Sequence, residues 1–499
     1  MNNKRISSSF GIKRRNLLYL LLGLSGSLGM GSCSQLSAEP GKNESETNLY
    51  DTVIIGGGIS GLTAAFLLKE KNILVLEKET SLGGRIVSGE WEGFHYPKGT
   101  EYIGEPEGES AQLFSQLGLK AIKMPPPTDA IAYQGSIHHG KNILDFIDEE
   151  TQEDYWRLEE ELSKLNDRIE DDLFSGLGDR NVTPLKQFAG YDGQTMAEWL
   201  KQLDIDPVIQ QYIDIENRGL FGAANNELSL LFNIPEMAYN LPDPEEANES
   251  EVYTFSRGIY ELVEVLAQRL AKNVVTGAKV NQVEVNEEEE VTVSYEREGK
   301  EVLVKAKTVI LSTPAPISDR LVTQGFSNKV KNALKSIQYA EYVTVNLFLR
   351  DRLWKDAWTL SCLDDFFVTL YDAIRTQVDI SYNGKAVLGV YIAAKDAKDR
   401  SLLKMSDVEI VDRVLKDLEK YYPNIRSQVL GQDIQRFPYA FPAFSRNYTN
   451  ILEVLYTDKM LQNSPLFLAG DYLVYATLDG AIASGFQAAE SVNEYITEN

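Results

Sequence analysis

Gly56, Gly58 and Gly61 spell G-x-G-x-x-G directly after the apolar run 52–55, and Glu77 closes a second apolar run about 20 residues on. In that arrangement the first glycine permits a tight turn and the second lets main chain approach a pyrophosphate. The third lets the following helix pack on the strand, and the helix N-terminus adds partial positive charge. A carboxylate at Glu77 suits an unphosphorylated ribose hydroxyl and opposes a 2′-phosphate, so the chemistry expected is dinucleotide binding. Gly83, Gly84 and Arg85 follow at once, offering exposed amides and a cation to the pyrophosphate oxygens. Near the far end, "LFLAGDY" stops an apolar run at Gly470-Asp471, and "DGAIASG" begins a few residues later. That is the layout of a strand ending on a ligand.

Other reactive residues are sparse. Two cysteines, Cys33 and Cys362, exclude a disulfide framework and give too few thiolates for a metal site. His95, His138 and His139 have no metal-ligand spacing, and the pair in "GSIHHGKN" reads as an exposed turn. No metal is expected. Cys362, in "TLSCLDD", reads as a small core residue.

The elements that must position these residues follow from periodicity. "YDTVIIGGGISGLTAAFLLKEKNILVLEKE" is strand, glycine turn, helix, strand, a βαβ unit. Acidic amphipathic runs such as "EDYWRLEEELSKLNDRIEDDL" make the next region helical, and "LPDPEEANESE" punctuates it as a loop. "VVTGAKVNQVEV", "EVTVSYEREGK" and "EVLVKAKTVILSTPAP" alternate as strands, with "NEEEE" as a solvated hairpin tip. The expected class is α/β and discontinuous. A Rossmann-like dinucleotide-binding domain is built from residues 50–109, 251–316 and 438–499. A mixed α+β substrate domain, inserted as residues 110–250 and 317–437, interrupts it. Residues far apart in sequence then meet around one ligand.

Formal net charge is −25, and the first 33 residues carry Lys4, Arg5, Lys13, Arg14 and Arg15 with no acid, so the body is more acidic still. Such a body repels nucleic acid and anionic lipid, and favours neutral or cationic ligands. Residues 1–33 read as an export signal: a basic start, an apolar stretch too short to span a bilayer permanently, then small residues. Arg14-Arg15 before Asn16-Leu17-Leu18 resembles a twin-arginine signal, and Cys33 after "MGS" resembles a lipobox cysteine that would carry a lipid anchor. The expected location is the periplasm or an equivalent extracytoplasmic compartment. Residues 34–49 are a polar linker.

The set "GGGISG…LEKETSLGGR", "FSRGIYELVEVLAQRL", "KTVILSTPAP" and "LFLAGDY…DGAIASGFQAA", in that order, resembles the flavin amine oxidase superfamily over most of residues 50–499. That superfamily holds monoamine and polyamine oxidases, L-amino-acid oxidases and dehydrogenases, protoporphyrinogen oxidase and carotenoid desaturases. The resemblance implies FAD, held without a covalent link, since Cys362 is far from the position where some relatives attach it. It implies that the main chain of Val280 contacts the adenine and that Asp471, beside Gly470, binds the ribityl-phosphate end. The helix beginning near Asp479-Gly480-Ala481 would present its positive end to the flavin N1–C2=O edge. The segment "FHYPKGTEYIGEP" resembles the family's pocket-lining stretch, with Tyr102 at an aromatic position; Glu101 and Glu105 beside it are candidates to meet an ammonium or guanidinium, a solvated or structural role being the alternative for each. Tyr439 and Tyr475 are the expected wall from the last segment. Arg218, Arg257 and Arg446 are candidates to receive a substrate carboxylate. The lysine that many amine oxidases hold near flavin N5 has no counterpart securely in register; Lys329, in "RLVTQGFSNKVKN", is the nearest catalytic candidate.

The expected function is FAD-dependent oxidation of an amine or L-amino acid. Hydride would pass to flavin N5, the imine would hydrolyse, and electrons would go to oxygen or a quinone. A desaturase-like or protoporphyrinogen-oxidase-like enzyme acting on an apolar substrate is the competing reading, and a flavin-binding protein without turnover is a third.

Overall fold

A computed structural model of the chain describes residues 49–124, 129–139, 143–240, 252–354, 359–375 and 384–498. The expected export signal and the residues of the expected linker before 49 lie outside these. Among the described residues no helix is long and apolar enough to cross a membrane.

The strand Leu49–Ile55 is the centre of a seven-stranded sheet. Val53 and Ile55 enter one apolar core while Ile54, between them, enters another, so the strand is buried on both faces. It runs parallel to Ile73–Leu76 on one side and to Lys300–Leu311 on the other. Thr52 and Thr308, in register, join their hydroxyls at 2.9 Å inside the sheet. The short strand Leu466–Leu468 adds in parallel to the end of Lys300–Leu311, delivering Gly470 and Asp471 beside the glycine loop. Lys279–Val285 and Val291–Arg297 extend this sheet as an antiparallel hairpin around the acidic tip, and the short strand Val274–Val275 completes it in parallel beside Ile73–Leu76.

Helix Ile59–Leu67 packs against the C-terminal helix Leu478–Glu498. The run "GAIASG" explains the closeness: a Cβ on Gly485 would lie 2.6 Å from the Ser60 carbonyl oxygen. Small residues let the two helices cross almost backbone to backbone.

A second seven-stranded sheet runs in the order Val429–Phe437, Tyr342–Leu349, Ala386–Ala393, Thr369–Asp372, Thr359–Cys362, Asp129–Tyr133, Ser136–His139. Val343, Val345, Leu347 and Leu349 turn to a core shared with helix Asp407–Leu418. Tyr342, Thr344 and Asn346 alternate with them and occupy the opposite face. Cys362 is buried and free, as its sequence context suggests.

The hairpin Asp129–Tyr133/Ser136–His139 interrupts the region expected to be helical. Gln134 and Gly135 both have positive φ, 48° and 74°, the two-residue turn that matches strand twist. The histidine pair therefore ends a strand instead of forming the turn, and the His138 ring lies 4.4 Å from Phe146. Helix Glu149–Gly178 and helix Pro207–Phe221 supply the helical part of the expected substrate region.

Candidate active site

The glycine loop is locked to the sheet from behind. Gly56 has φ +112°, and Ser312 Oγ donates to the carbonyls of Ile55 and Gly56, at 2.9 Å each. A Cβ on Gly61 would lie 2.3 Å from both the Gly56 oxygen and Ser312 Oγ, so the helix starts hard against the turn. Gly58 differs: a Cβ there would meet nothing within 4 Å. No side chain caps helix Ile59–Leu67 and its first turn carries no acid. Open space beside an uncapped helix N-terminus is the cradle that a pyrophosphate needs. Gly83 donates its N–H to the Gly57 carbonyl (2.8 Å), which brings Gly84 and Arg85 to the same loop.

Glu77 is buried at the strand end, accepting from the Gly57 N–H at 2.6 Å and the Glu79 N–H at 2.8 Å. Burial pushes its carboxyl up, and the two amides pull it back in part. The Ala278 N–H bonds to the Glu77 carbonyl at 2.8 Å, setting Val280 two residues beyond the adenosine end of the loop.

The last segment closes the site. Arg85 donates from Nη1 to Asp471 Oδ2 at 2.7 Å and to the Ala440 carbonyl at 2.7 Å. Burial works against the guanidinium charge, but the neighbouring Asp471 carboxylate outweighs it and keeps the arginine charged. Gly470 donates its N–H to Ser484 Oγ at 2.8 Å, tying "AGD" to the C-terminal helix. In the first turn of that helix Ala481 is buried, and the Asp479 carboxylate accepts from the Ser110 hydroxyl. Burial raises the Asp479 carboxyl, an effect that the serine opposes. These residues fit FAD: the glycine loop, Gly84 and Arg85 would hold the pyrophosphate, Glu77 the ribose, Val280 the adenine, and Asp471 with the helix at Ala481 the flavin half.

Beyond Arg85 the chain crosses to the second sheet. A Cβ on Gly99 would lie 2.0 Å from the Arg85 carbonyl oxygen. The tyrosines of the sheet hold this crossing segment: Tyr391 donates to the Gly99 carbonyl (2.6 Å) and Tyr371 to that of Pro97 (3.1 Å). Thr344 Oγ1 donates to the Lys98 carbonyl at 2.7 Å. The Tyr371 and Tyr391 ring centres are 4.6 Å apart, and Tyr342 lies 5.8 Å from Tyr391 and 5.7 Å from Phe441. Glu101 is beside this cluster. Its Oε2 is shut off from solvent with no hydrogen-bond partner. Burial, with the like charge of Asp129, pushes its carboxyl up to about 8. Burial and then the Glu101 charge hold the phenols of Tyr371 and Tyr391 well above the usual range.

The other anticipated site residues are not gathered here. Tyr102 is 37% exposed. Tyr439 accepts from Arg320 at 3.1 Å and packs on Tyr339, whose charge environment includes Asp471, so it belongs to the dinucleotide side. Tyr475 donates to the Phe232 carbonyl at 2.6 Å among Phe174, Phe221 and Phe444. Lys329 is on the exposed face of helix Asn328–Ser336, whose buried face is Val330, Ala333 and Leu334. Arg446 pairs with Glu198, Arg257 with Glu264, and Arg218 donates to the carbonyls of Ala393 and Ala394. Sequence reasoning missed Tyr342, Tyr371 and Tyr391. For Tyr342 the signal was the alternation of Tyr, Thr and Asn with aliphatic residues in "YVTVNLFL".

One ligand site is thus reached by three distant stretches, and its residues suit a dinucleotide. Residues 59–493 match the family described as flavin containing amine oxidoreductase, and the chain belongs to that family. Protoporphyrinogen oxidase 1 of the Arabidopsis thaliana chloroplast is 22% identical over 504 residues, covering 90% of this chain and 88% of its own. An L-amino-acid oxidase of Siganus canaliculatus is 22% identical, covering 89% and 85%. Among solved structures, wild-type putrescine oxidase bound to putrescine superposes with a TM-score of 0.71 at 18% identity, over 90% of this chain and 100% of that one. Cyclohexylamine oxidase from Brevibacterium oxydans gives 0.68 at 17% identity, over 90% and 100%. At these identities the structural likeness establishes the fold, which is α/β and flavoprotein in type. Family membership makes the chain an enzyme with FAD as cofactor, which replaces the reading as a flavin binder without turnover.

Proposed function

We propose that this enzyme oxidises a small amine or L-amino acid. The observation that carries the reading is the wall of Tyr342, Tyr371 and Tyr391 against the segment that leaves Arg85, with carboxylates beside it. Aromatic faces with carboxylates nearby favour an ammonium over a long apolar chain. The chemistry that FAD supplies when bound is acceptance of a hydride from the carbon bearing nitrogen; the resulting imine hydrolyses in water. This chain's own residues have the remaining work. The tyrosine wall orients the amine and sheds water, and Arg85 with Asp471 fixes the cofactor relative to that wall. Oxygen or a quinone takes the electrons onward.

The similarity to protoporphyrinogen oxidase over 90% of this chain favours a second reading, an apolar substrate. Anaerobic mixing of the FAD-loaded protein with mono- and polyamines, L-amino acids and an apolar polycyclic substrate separates the two. Bleaching of the flavin absorbance by amines or amino acids supports the first reading; bleaching by the apolar compound alone overturns it. Readmitting air then distinguishes oxidase from dehydrogenase.

We also infer export, from Arg14-Arg15 and the short apolar stretch after them, with Cys33 as the site of a lipid anchor. Fractionation of cells expressing the full chain and an Arg14→Lys/Arg15→Lys variant tests this. Retention of wild type in the cytoplasm would remove it.

A further inference from the structure

We propose that Glu101 is the receptor for the positive charge of the substrate, its carboxylate pairing with the cationic nitrogen inside the Tyr342, Tyr371 and Tyr391 wall. The inference deepens the amine reading above and rests on it. Three observations converge. First, Glu101 Oε2 is occluded and has no hydrogen-bond partner, an arrangement that costs a protein free energy unless a ligand supplies the donor. Second, the neighbouring phenols cannot supply it: Tyr391, Tyr371 and Tyr342 spend their O–H groups on the carbonyls of Gly99, Pro97 and Gly219. What remains to them beside Glu101 is ring surface, which attracts a cation. Third, Glu101 also lines a small pocket against the turn at Arg257 to Tyr260, so an opening from the surface ends at this residue. The one guanidinium among the residues lining that pocket, Arg257, is committed to Glu264 at 2.6 Å.

The surrounding charges favour the same ligand. Asp129 adds negative charge from the hairpin strand, and Glu216, on helix Pro207–Phe221, adds its own at Tyr342. Arg218 on the same helix opposes it, with its guanidinium directed to the carbonyls of Ala393 and Ala394. His95, Tyr96 and Tyr260 are the other titratable groups of the pocket wall, and burial with Asp433 holds the Tyr96 phenol above its usual range.

Because burial and Asp129 push the Glu101 carboxyl up to about 8, the empty site holds a proton there at neutral pH. Arrival of a cation breaks the O–H bond heterolytically, the proton leaves to solvent, and the carboxylate pairs with the ligand. No electrons move in this step. Binding is therefore linked to proton release.

Benzamidine is a suitable probe, being a cation with no oxidisable C–H beside nitrogen. Calorimetric titration of the FAD-loaded protein in two buffers of different ionisation enthalpy should show close to one proton released per benzamidine at pH 7. Its affinity should rise roughly 50-fold from pH 6 to pH 8, as linkage to a single group near 8 requires. Glu101→Gln, checked for a native flavin spectrum, should bind at least tenfold more weakly at pH 8 and lose the pH dependence. Binding without proton release, no binding, or a folded variant that matches wild type at pH 8 would each overturn the proposal. If the variant does not fold, proton release in wild type decides alone. Amines that bleach the flavin while benzamidine releases no proton would remove Glu101 and leave amine oxidation standing. Proton release without bleaching by any amine would do the reverse.

Discussion

Arg85 and Asp471, 386 residues apart in the chain, meet in an ion pair of 2.7 Å. One ends the first βαβ unit and the other ends the strand Leu466–Leu468, so the pair forms only when start and finish of the chain share one sheet. Asp471→Ala leaves Arg85 with the Ala440 carbonyl as its remaining partner of the two. Loss of a charge-assisted hydrogen bond of this kind costs roughly 1.5–3 kcal/mol. The expected outcome is a lower urea midpoint and FAD release tenfold or more easier, read by the recovery of free-flavin fluorescence. Unchanged retention would show that the pair serves the fold alone.

Two glycines of the same loop should fail in different ways. Gly58 has extended backbone and open space where a Cβ would go, so Gly58→Ala should leave the melting temperature of the apoprotein within a degree or two of wild type. Its methyl group would occupy the cradle and weaken FAD binding at least tenfold. Gly61→Ala instead drives a methyl into the Gly56 carbonyl and Ser312, and overpacking of this kind costs about 1–3 kcal/mol. Its apoprotein should melt earlier. Equal behaviour of the two variants would contradict the geometry.

What could be read in advance follows from where the information resides. The dinucleotide loop was legible because each of its signals is local: apolar run, glycine spacing, carboxylate at the next strand end. Gly470-Asp471 was legible for the same reason, and the resemblance assigned it to the same ligand. The aromatic wall was not. Tyr342, Tyr371 and Tyr391 come from three strands, and they meet because Tyr342 pairs with Ala393, and Thr369 with Tyr391, in the register of the sheet. Register is a tertiary property that no single segment states. Tyr439, in "RFPYAFPAFSRNY", and Tyr475, just after Asp471, are expected as a wall from the last segment, yet the chain folds their rings onto Tyr339 and onto a phenylalanine cluster. The hairpin at Gln134-Gly135 was hidden by the acidic helix that follows it.

The wall depends on one glycine. A Cβ on Gly389 would lie 2.1 Å from the Tyr371 ring, which lies across the neighbouring strand and fills the place of the missing side chain. Gly389→Ala should displace that ring, lengthen its hydrogen bond to the Pro97 carbonyl and cost roughly 1–3 kcal/mol of stability. FAD binding should be retained, because Gly389 is not among the residues that would hold the cofactor. Amine-dependent bleaching should slow by tenfold or more. A variant that bleaches at the wild-type rate would exclude Tyr371 from the substrate wall.

Glu101 also imposes a pH dependence on stability whose sign is fixed. Its carboxyl titrates near 4.5 when unfolded and near 8 when folded, raised by burial and then by Asp129. Between those values the folded chain keeps a proton that the unfolded chain has released. The contribution of this group to stability is therefore complete below about pH 4.5 and declines as the pH rises through 8. Glu101→Gln carries no titrating group there, so the melting temperature of the variant minus that of wild type should increase from pH 5 to pH 8.5, by on the order of 4 °C for a chain of this size. The comparison removes the titrations that both proteins share, including those of the more distant carboxylates. Thermal unfolding of the two apoproteins at pH 5, 6.5 and 8.5 measures it. A constant difference would mean that the Glu101 carboxyl is solvated in solution and titrates in the ordinary range, and a falling difference would mean that a cation already sits beside it.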